Sequence, residues 1–246
     1  MNNFMEEKYN DLLRKGREVV SERYTPQERR GIEVGGRGLE IGVLLVGGCV
    51  GSGGEVEGLD PYDREEQRRE AQEDVLECWA KENGCWFENT EVELSERFPF
   101  LAEGGEADVY FDGNRVIKAI GLDYFVSPQM ALDRIVLHNF LFEYSTPMRV
   151  MGYGRNGEGY FKVVVEQPYI RGERMSEEEI EEFTQRIGFD LRRRGNWTYT
   201  NDDIYISDLH NENVLRTPSG NVAVIDADVR LNLAELGYGG MRGIFV

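Results

Sequence analysis

Histidine is almost missing from this 246-residue chain: there are only His138 and His210. A zinc site built on histidine is therefore not expected. Cysteine is also scarce. Cys49, Cys78 and Cys85 make an odd number without paired metal spacing, which predicts reduced thiols, with a Cys78–Cys85 disulfide as the alternative. Basic residues are too few to balance the acidic ones, 28 against 46, so the formal charge is −18. Such a surface repels nucleic acid and anionic membrane, and neither is expected as a partner. Long apolar runs are lacking as well. The longest, Ile41–Val50, has ten residues, about half of the roughly 20 a membrane span requires. The first residues carry no positively charged segment leading into an apolar core, so no signal peptide is expected. Together these absences predict a soluble, cytoplasmic protein.

What is plentiful changes along the chain. Residues 1–90 read as a helical and glycine-rich region of unknown role. Leu12, Leu13, Val19 and Val20 among charges predict a helix from Phe4 to about Glu22, and Thr25-Pro26 predicts the start of another. Residues 31–58 carry eleven glycines. No Lys-Ser/Thr follows Gly47–Gly54, so this stretch predicts a flexible linker or a buried glycine-rich strand, not a phosphate loop. A further helix is predicted from Asp63 to Lys81, ended by Gly84, with Trp79, Trp86 and Phe87 as core or docking residues.

From Phe98 onward the pattern turns to strands. Phe98–Ala102, Ala107–Phe111 and Arg115–Ile120 predict three strands, with turns at Glu103–Glu106 and Asp112-Gly113-Asn114. Lys118 stands in the middle of the third. It either faces solvent or is buried and needs an anionic partner. Ser127-Pro128 predicts a helix to about Phe142, Tyr160–Val165 another strand, and Ser176–Glu179 a capping box opening a helix to about Arg194.

The most informative stretch is Ile204–Leu215 followed by Asn221–Asp228. Asp208 precedes Asn213 by five residues, and Asp226 closes the apolar run Val222–Ile225. The pattern is either a surface hairpin with solvated side chains or a phosphoryl-transfer site. Transfer needs a carboxylate to take the acceptor's proton and oxygen ligands to hold magnesium on the phosphates. Asp208 suits the first role, and Asn213 and Asp226 the second.

In order and spacing, these motifs resemble the protein-kinase-like superfamily in an atypical form. Gly104-Gly105-Glu106-Ala107-Asp108-Val109 resembles a degenerate glycine-rich loop, with Ala102 and Ala107 at two glycine positions, and Val116–Ala119 resembles the strand carrying the phosphate lysine. Asp208-Leu209-His210 is closer to aminoglycoside phosphotransferases. The whole is similar to the Ser/Thr/Tyr kinase modules in polyvalent proteins of phages and conjugative elements.

The resemblance implies an α+β, bilobal kinase-like domain over 91–246, its amino lobe at about 91–166 and a reduced carboxyl lobe at about 170–246. It implies ATP and Mg2+ as cofactors. Asp208 and Lys118 would be catalytic. Gly104, Gly105, Ala107, Val109, Lys118, Asp133, Glu166, Gln167 and Tyr169 would hold the nucleotide, with Asp133 steadying Lys118 and Gln167 or Tyr169 meeting the adenine because Pro168 has no N–H. Asn213, Asp226 and Asp228 would hold the metal. The acceptor would be a protein Ser, Thr or Tyr hydroxyl. A small-molecule hydroxyl, or a weakly active nucleotide-binding module of a mobile element, are the alternatives. Ser207 replaces the usual arginine before the catalytic aspartate, and only twenty residues follow Asp226.

Overall fold

The computed structural model describes residues 3–49, 60–122, 127–193, 195 and 197–232. They form two compact units, one of residues 1–141 with 147–169, the other of residues 142–146 with 170–246. Each is described by itself.

In the first unit the amphipathic run near the start forms helix α1 (Asn3–Arg23). Thr25 and Glu28 then bond reciprocally. Glu28 N–H donates to Thr25 Oγ1 at 3.3 Å, and Thr25 N–H donates to the Glu28 carboxylate at 2.7 Å. The short helix α2 (Arg30–Val34) follows.

The glycine-rich segment is neither linker nor strand where it is described. It is helix α3 (Gly36–Cys49), and positions 50–59 lie outside the described residues. Its glycines let backbones touch. A Cβ at Gly48 would stand 2.3 Å from the Leu12 carbonyl oxygen, and one at Gly16 on α1 would stand 1.9 Å from that of Leu44. The packing gain from that approach outweighs glycine's low helix propensity, roughly 1 kcal/mol per residue.

Helix α4 (Pro61–Asn83) runs as the sequence predicts. Asp60 caps it by accepting from the Tyr62 and Asp63 N–H groups, and Gly84 ends it at φ 68°. Helix α5 (Thr90–Arg97), capped by Asn89, is an addition the sequence pattern did not signal.

The sheet has the order β1-β5-β6-β4-β3-β2. Its strands are β1 (Trp86–Phe87), β2 (Phe100–Glu103), β3 (Ala107–Phe111), β4 (Arg115–Gly121), β5 (Arg149–Arg155) and β6 (Phe161–Pro168). All neighbours are antiparallel except β1 with β5. The turn between β3 and β4 is built by Asp112, whose Oδ1 accepts from the Asn114 and Arg115 N–H groups, with Gly113 at φ 100°.

Helix α6 (Pro128–Phe142) covers one face of this sheet. Its Leu132, Ile135 and Val136 share one core with Ile120, Val163 and Val165 of the sheet and with Tyr24, Ile32, Leu39, Val43 and Leu76 of the earlier helices. The amino-terminal helices set apart by the sequence pattern are thus part of this unit's core. On the other face Leu94 of α5 packs with Tyr110, Ile117, Ala119 and Val164.

The second unit holds strand β7 (Glu173–Arg174) and helix α7 (Glu177–Arg186), then β8 (Asp190–Arg193), β9 (Thr198–Thr200), β10 (Ile204–Ser207), β11 (Val214–Arg216), β12 (Val222–Val224) and β13 (Asp228–Leu231). They make two sheets, β13-β10-β9-β8 and β12-β11-β7. The capping box opens α7 with both bonds present. The Ser176 N–H and the Arg216 guanidinium hold the Glu179 carboxyl below the ordinary carboxylate range. Helix α7 is shorter than the predicted span to Arg194. Gly188 takes φ 88°, which ends the helix, and Leu191 lies on β8. Among the described residues no helix is long and apolar enough to cross a membrane.

Candidate functional site

In the first unit, Lys118 is only 9% exposed. It sits on β4 directly opposite Val109 of β3 and Val165 of β6. The solvent-facing reading of this lysine is therefore excluded. A buried ammonium requires charged or polar company, and its strand gives it two apolar neighbours that fix its direction. Gly104 and Gly105 form the tip between β2 and β3, where the Gly104 N–H donates to the Ala107 carbonyl at 2.9 Å. The loop is also tied to α6. The Glu106 carboxylate pairs with Arg134, a residue buried on that helix.

A recess of about 310 Å³ opens beside this loop, lined by Glu91, Glu103, Glu106, Asp108, Glu158 and Lys162 among others. Asp108 stands opposite Ala119, one residue out of step with the Val109–Lys118 pair. Alternation therefore puts Asp108 on the sheet face away from Lys118. Gly104, Gly105 and Ala107 border this recess as well, and its five carboxylates against one lysine disfavour phosphate inside it.

Asp133 was expected to steady Lys118. Its oxygens accept from Arg23 Nε at 3.0 Å, from Gln129 Nε2 at 2.8 Å and from the Tyr24 hydroxyl. These contacts bolt α1 to α6. Burial alone would lower the Arg23 pKa, but the Asp133 charge and hydrogen bonds more than reverse that. Burial pushes the Tyr24 hydroxyl well up, and the Asp133 charge pushes it further. Removing one member of a buried ion pair costs about 3–5 kcal/mol. Asp133→Ala should lower the stability of the first unit by about that much, read as a shift in the urea midpoint.

The expected adenine-contacting residues lie at the end of β6, which continues through Pro168. Glu166 pairs with Arg115 and, at 3.5 Å, with Arg149. Gln167 is buried, its Nε2 3.5 Å from His138 Nε2. The Tyr169 N–H donates to the Asn114 carbonyl at 3.0 Å, and its ring packs on Phe111. That N–H is therefore committed within the protein, and the alternation of an antiparallel ladder commits the Gln167 N–H to Val116 in the same way, so neither is singled out for an adenine contact.

In the second unit, Asp208 follows β10 with φ 60°, and Trp197 has φ 45°. These are the only non-glycine residues with positive φ among the described residues. The Asp208 side chain is 62% exposed. Asn213 Nδ2 donates to the Asp208 carbonyl at 2.9 Å and to Asp208 Oδ2 at 3.1 Å. Both amide hydrogens are thus used, which orients Asn213 Oδ1 as its remaining polar atom. The Ile225 N–H donates to the Asn213 carbonyl at 2.9 Å, so the residue just before Asp226 is tied to the loop. Asp208 and Asn213 are thus bonded directly, and Asp226 follows in sequence the residue whose N–H bonds Asn213.

Asp228, the other expected metal ligand, has a different employment. Its carboxylate accepts from Ser207 Oγ at 3.2 Å and from Arg230 at 2.8 and 2.9 Å. A guanidinium on a carboxylate opposes a divalent cation there, and Asp228 anchors the start of β13.

A family model of Serine/Threonine/Tyrosine Kinase found in polyvalent proteins matches residues 69–233, about two thirds of the chain. The chain belongs to that kinase family. No curated protein and no solved structure matches it. Kinase chemistry calls for ATP and a divalent ion. Among the described residues of this kinase, no group of three or more His, Cys, Asp or Glu side chains could hold a metal. The donor set still suits an ion of the magnesium type, which takes one or two protein oxygens and completes its shell with phosphate and water. Here the candidates for those oxygens are the Asn213 amide Oδ1 and the Asp226 carboxylate.

The motif pattern gave no sign of three features of this kinase: the Arg134–Glu106 tie, the Arg23–Tyr24–Asp133 cluster and the place of Trp197 against His210. Asp133 and Arg134, two adjacent charges inside α6, were the one available signal.

Proposed function

We propose that this kinase transfers the γ-phosphoryl group of ATP, with magnesium, to a protein Ser, Thr or Tyr hydroxyl. The observation that supports this most is the Asp208–Asn213 assembly. It holds an exposed carboxylate and an oriented amide oxygen in one rigid loop.

The Lys118 ammonium binds the α- and β-phosphates. The glycines at 104 and 105 allow backbone N–H groups to approach them, with Ala107 and Val109 bordering the loop. Asn213 Oδ1 and the Asp226 carboxylate hold magnesium, which supplies charge neutralisation on the phosphates. Asp208 takes the proton from the acceptor hydroxyl. As that O–H bond breaks, the acceptor oxygen forms its bond to the γ-phosphorus. The bond from phosphorus to the bridging oxygen breaks, and its electron pair leaves with ADP.

Incubation with γ-labelled ATP and magnesium should label the protein or release labelled phosphate. Asp226→Asn should reduce that signal by at least about 100-fold, the scale of losing electrostatic stabilisation of a transferring phosphoryl group. Equal signal from the wild type and the variant would refute the proposal.

A further inference from the structure

The side chain of His210 stands against the proposed base, and a count of its protons assigns it a part. The Glu212 N–H donates to His210 Nδ1 at 3.2 Å. A nitrogen that accepts a hydrogen bond carries no proton, so the neutral ring has its single N–H at Nε2. Nε2 faces two groups, Asp208 Oδ1 at 3.3 Å and Asn213 Nδ2 at 3.3 Å. Asn213 Nδ2 cannot accept, and both its hydrogens already go to Asp208. Turning the amide over would set its oxygen against the Asp208 carbonyl and carboxylate, acceptor on acceptor, so that alternative fails. Asp208 Oδ1 is the remaining receiver.

The ring is also held from the side. Trp197 packs on it edge to face, with centroids 5.4 Å apart at 60°. The Trp197 carbonyl accepts from the Leu209 N–H. Trp197 and Asp208, the two non-glycine residues with positive φ among the described residues, thus flank His210. Its side chain is 20% exposed, while that of Asp208 is 62% exposed. A half-sheltered donor therefore supports an open carboxylate.

We propose that His210 is a positioning residue for transfer: its Nε2–H holds Oδ1 of Asp208 while Asn213 holds Oδ2, which fixes the carboxylate in the orientation that receives the acceptor's proton. This rests on the kinase reading of Asp208. The oxygens keep lone pairs for the incoming proton, since each carboxylate oxygen accepts more than one hydrogen bond.

The test uses the full chain, with two independent measurements. The first is a long-range 15N–1H correlation spectrum of the imidazoles at mildly alkaline pH. With only two histidines in the chain, His210→Gln assigns the signals. The expected result is the Nε2–H tautomer for His210; an Nδ1–H tautomer overturns the proposal. The second is turnover of γ-labelled ATP with magnesium. His210→Leu should lower kcat on the order of ten-fold with KM for ATP within about two-fold, a fraction of what a general base contributes. His210→Gln places an amide N–H near the position of Nε2–H and should recover most of that loss. No loss in His210→Leu, an equal loss in both variants, or a loss confined to KM overturns it. Asp226→Asn run alongside separates the two claims. Turnover that survives in Asp226→Asn removes the kinase reading, while the spectrum still decides whether the imidazole donates to Asp208.

Discussion

Asp208→Asn should slow phosphoryl transfer by about 10²- to 10⁴-fold while nucleotide affinity changes little. Asparagine is the informative replacement because of the backbone. Asp208 has φ 60°, a region that asparagine tolerates and that costs alanine roughly 1 kcal/mol. The amide also keeps a carbonyl oxygen, so one of the bonds from Asn213 or His210 survives. What it loses is the capacity to take a proton. A fall in kcat with unchanged thermal shift by Mg·ATP therefore isolates proton removal from binding and from folding. A rate within a few-fold of wild type would show that Asp208 is not the base.

A second large effect should come from a position with no part in the proposed chemistry. At Gly16 a Cβ would stand 1.9 Å from the Leu44 carbonyl oxygen and 2.6 Å from its carbon. Both are backbone atoms, so no rotamer change relieves the clash, and α1 must move off α3. Gly16→Ala gains up to about 1 kcal/mol from helix propensity, but overpacking of this kind costs about 1–3 kcal/mol or more. Opening α1 from α3 also disturbs Leu12, Leu45 and Val75, which pack together. Gly16→Val adds bulk without alanine's propensity gain. It should lower the melting temperature of the first unit by about 5–15 °C, on the scale of about 2–4 °C per kcal/mol. Gly195→Ala, where a Cβ meets nothing within 4 Å, should leave melting unchanged. Equal melting of wild type and Gly16→Val would mean that α1 and α3 do not pack as described.

Much of the fold was legible because its signals are local. The Gly84 stop, the Asp112–Asn114 turn and the Ser176–Glu179 box each need only a few neighbouring residues, and each recurs in the structure. The glycine-rich stretch was misread because composition hid its spacing. Gly31, Gly35, Gly38 and Gly42 fall at steps of four, three and four, a helical stripe. Helix α7 was drawn too long because Ile187 and Leu191 prolong an apolar period that Gly188 interrupts.

At the candidate site, order and spacing single out Lys118, Asp208, Asn213 and Asp226 as candidates. Orientation was beyond their reach. Asp133 sits on the expected helix, yet its contacts go to Arg23 and Tyr24, more than a hundred residues away along the chain. Asp228 has the right charge, but Arg230 two residues on already occupies it. The bond from the Glu212 N–H to His210 depends on the course of one loop, which no residue pattern states.

The shared core of the first unit also bears on how the protein can be cut. The family match starts at residue 69, inside α4. Yet Val20, Tyr24, Ile32, Leu39, Val43 and Val46 lie before it and cover Leu132, Ile135 and Val136 of α6. A truncation that kept only the matched span would leave α6 with a bare greasy flank and an orphaned carboxylate at Asp133. For expression and crystallisation, the sensible amino-terminal cut point lies upstream of α1, not at the edge of the recognised motifs.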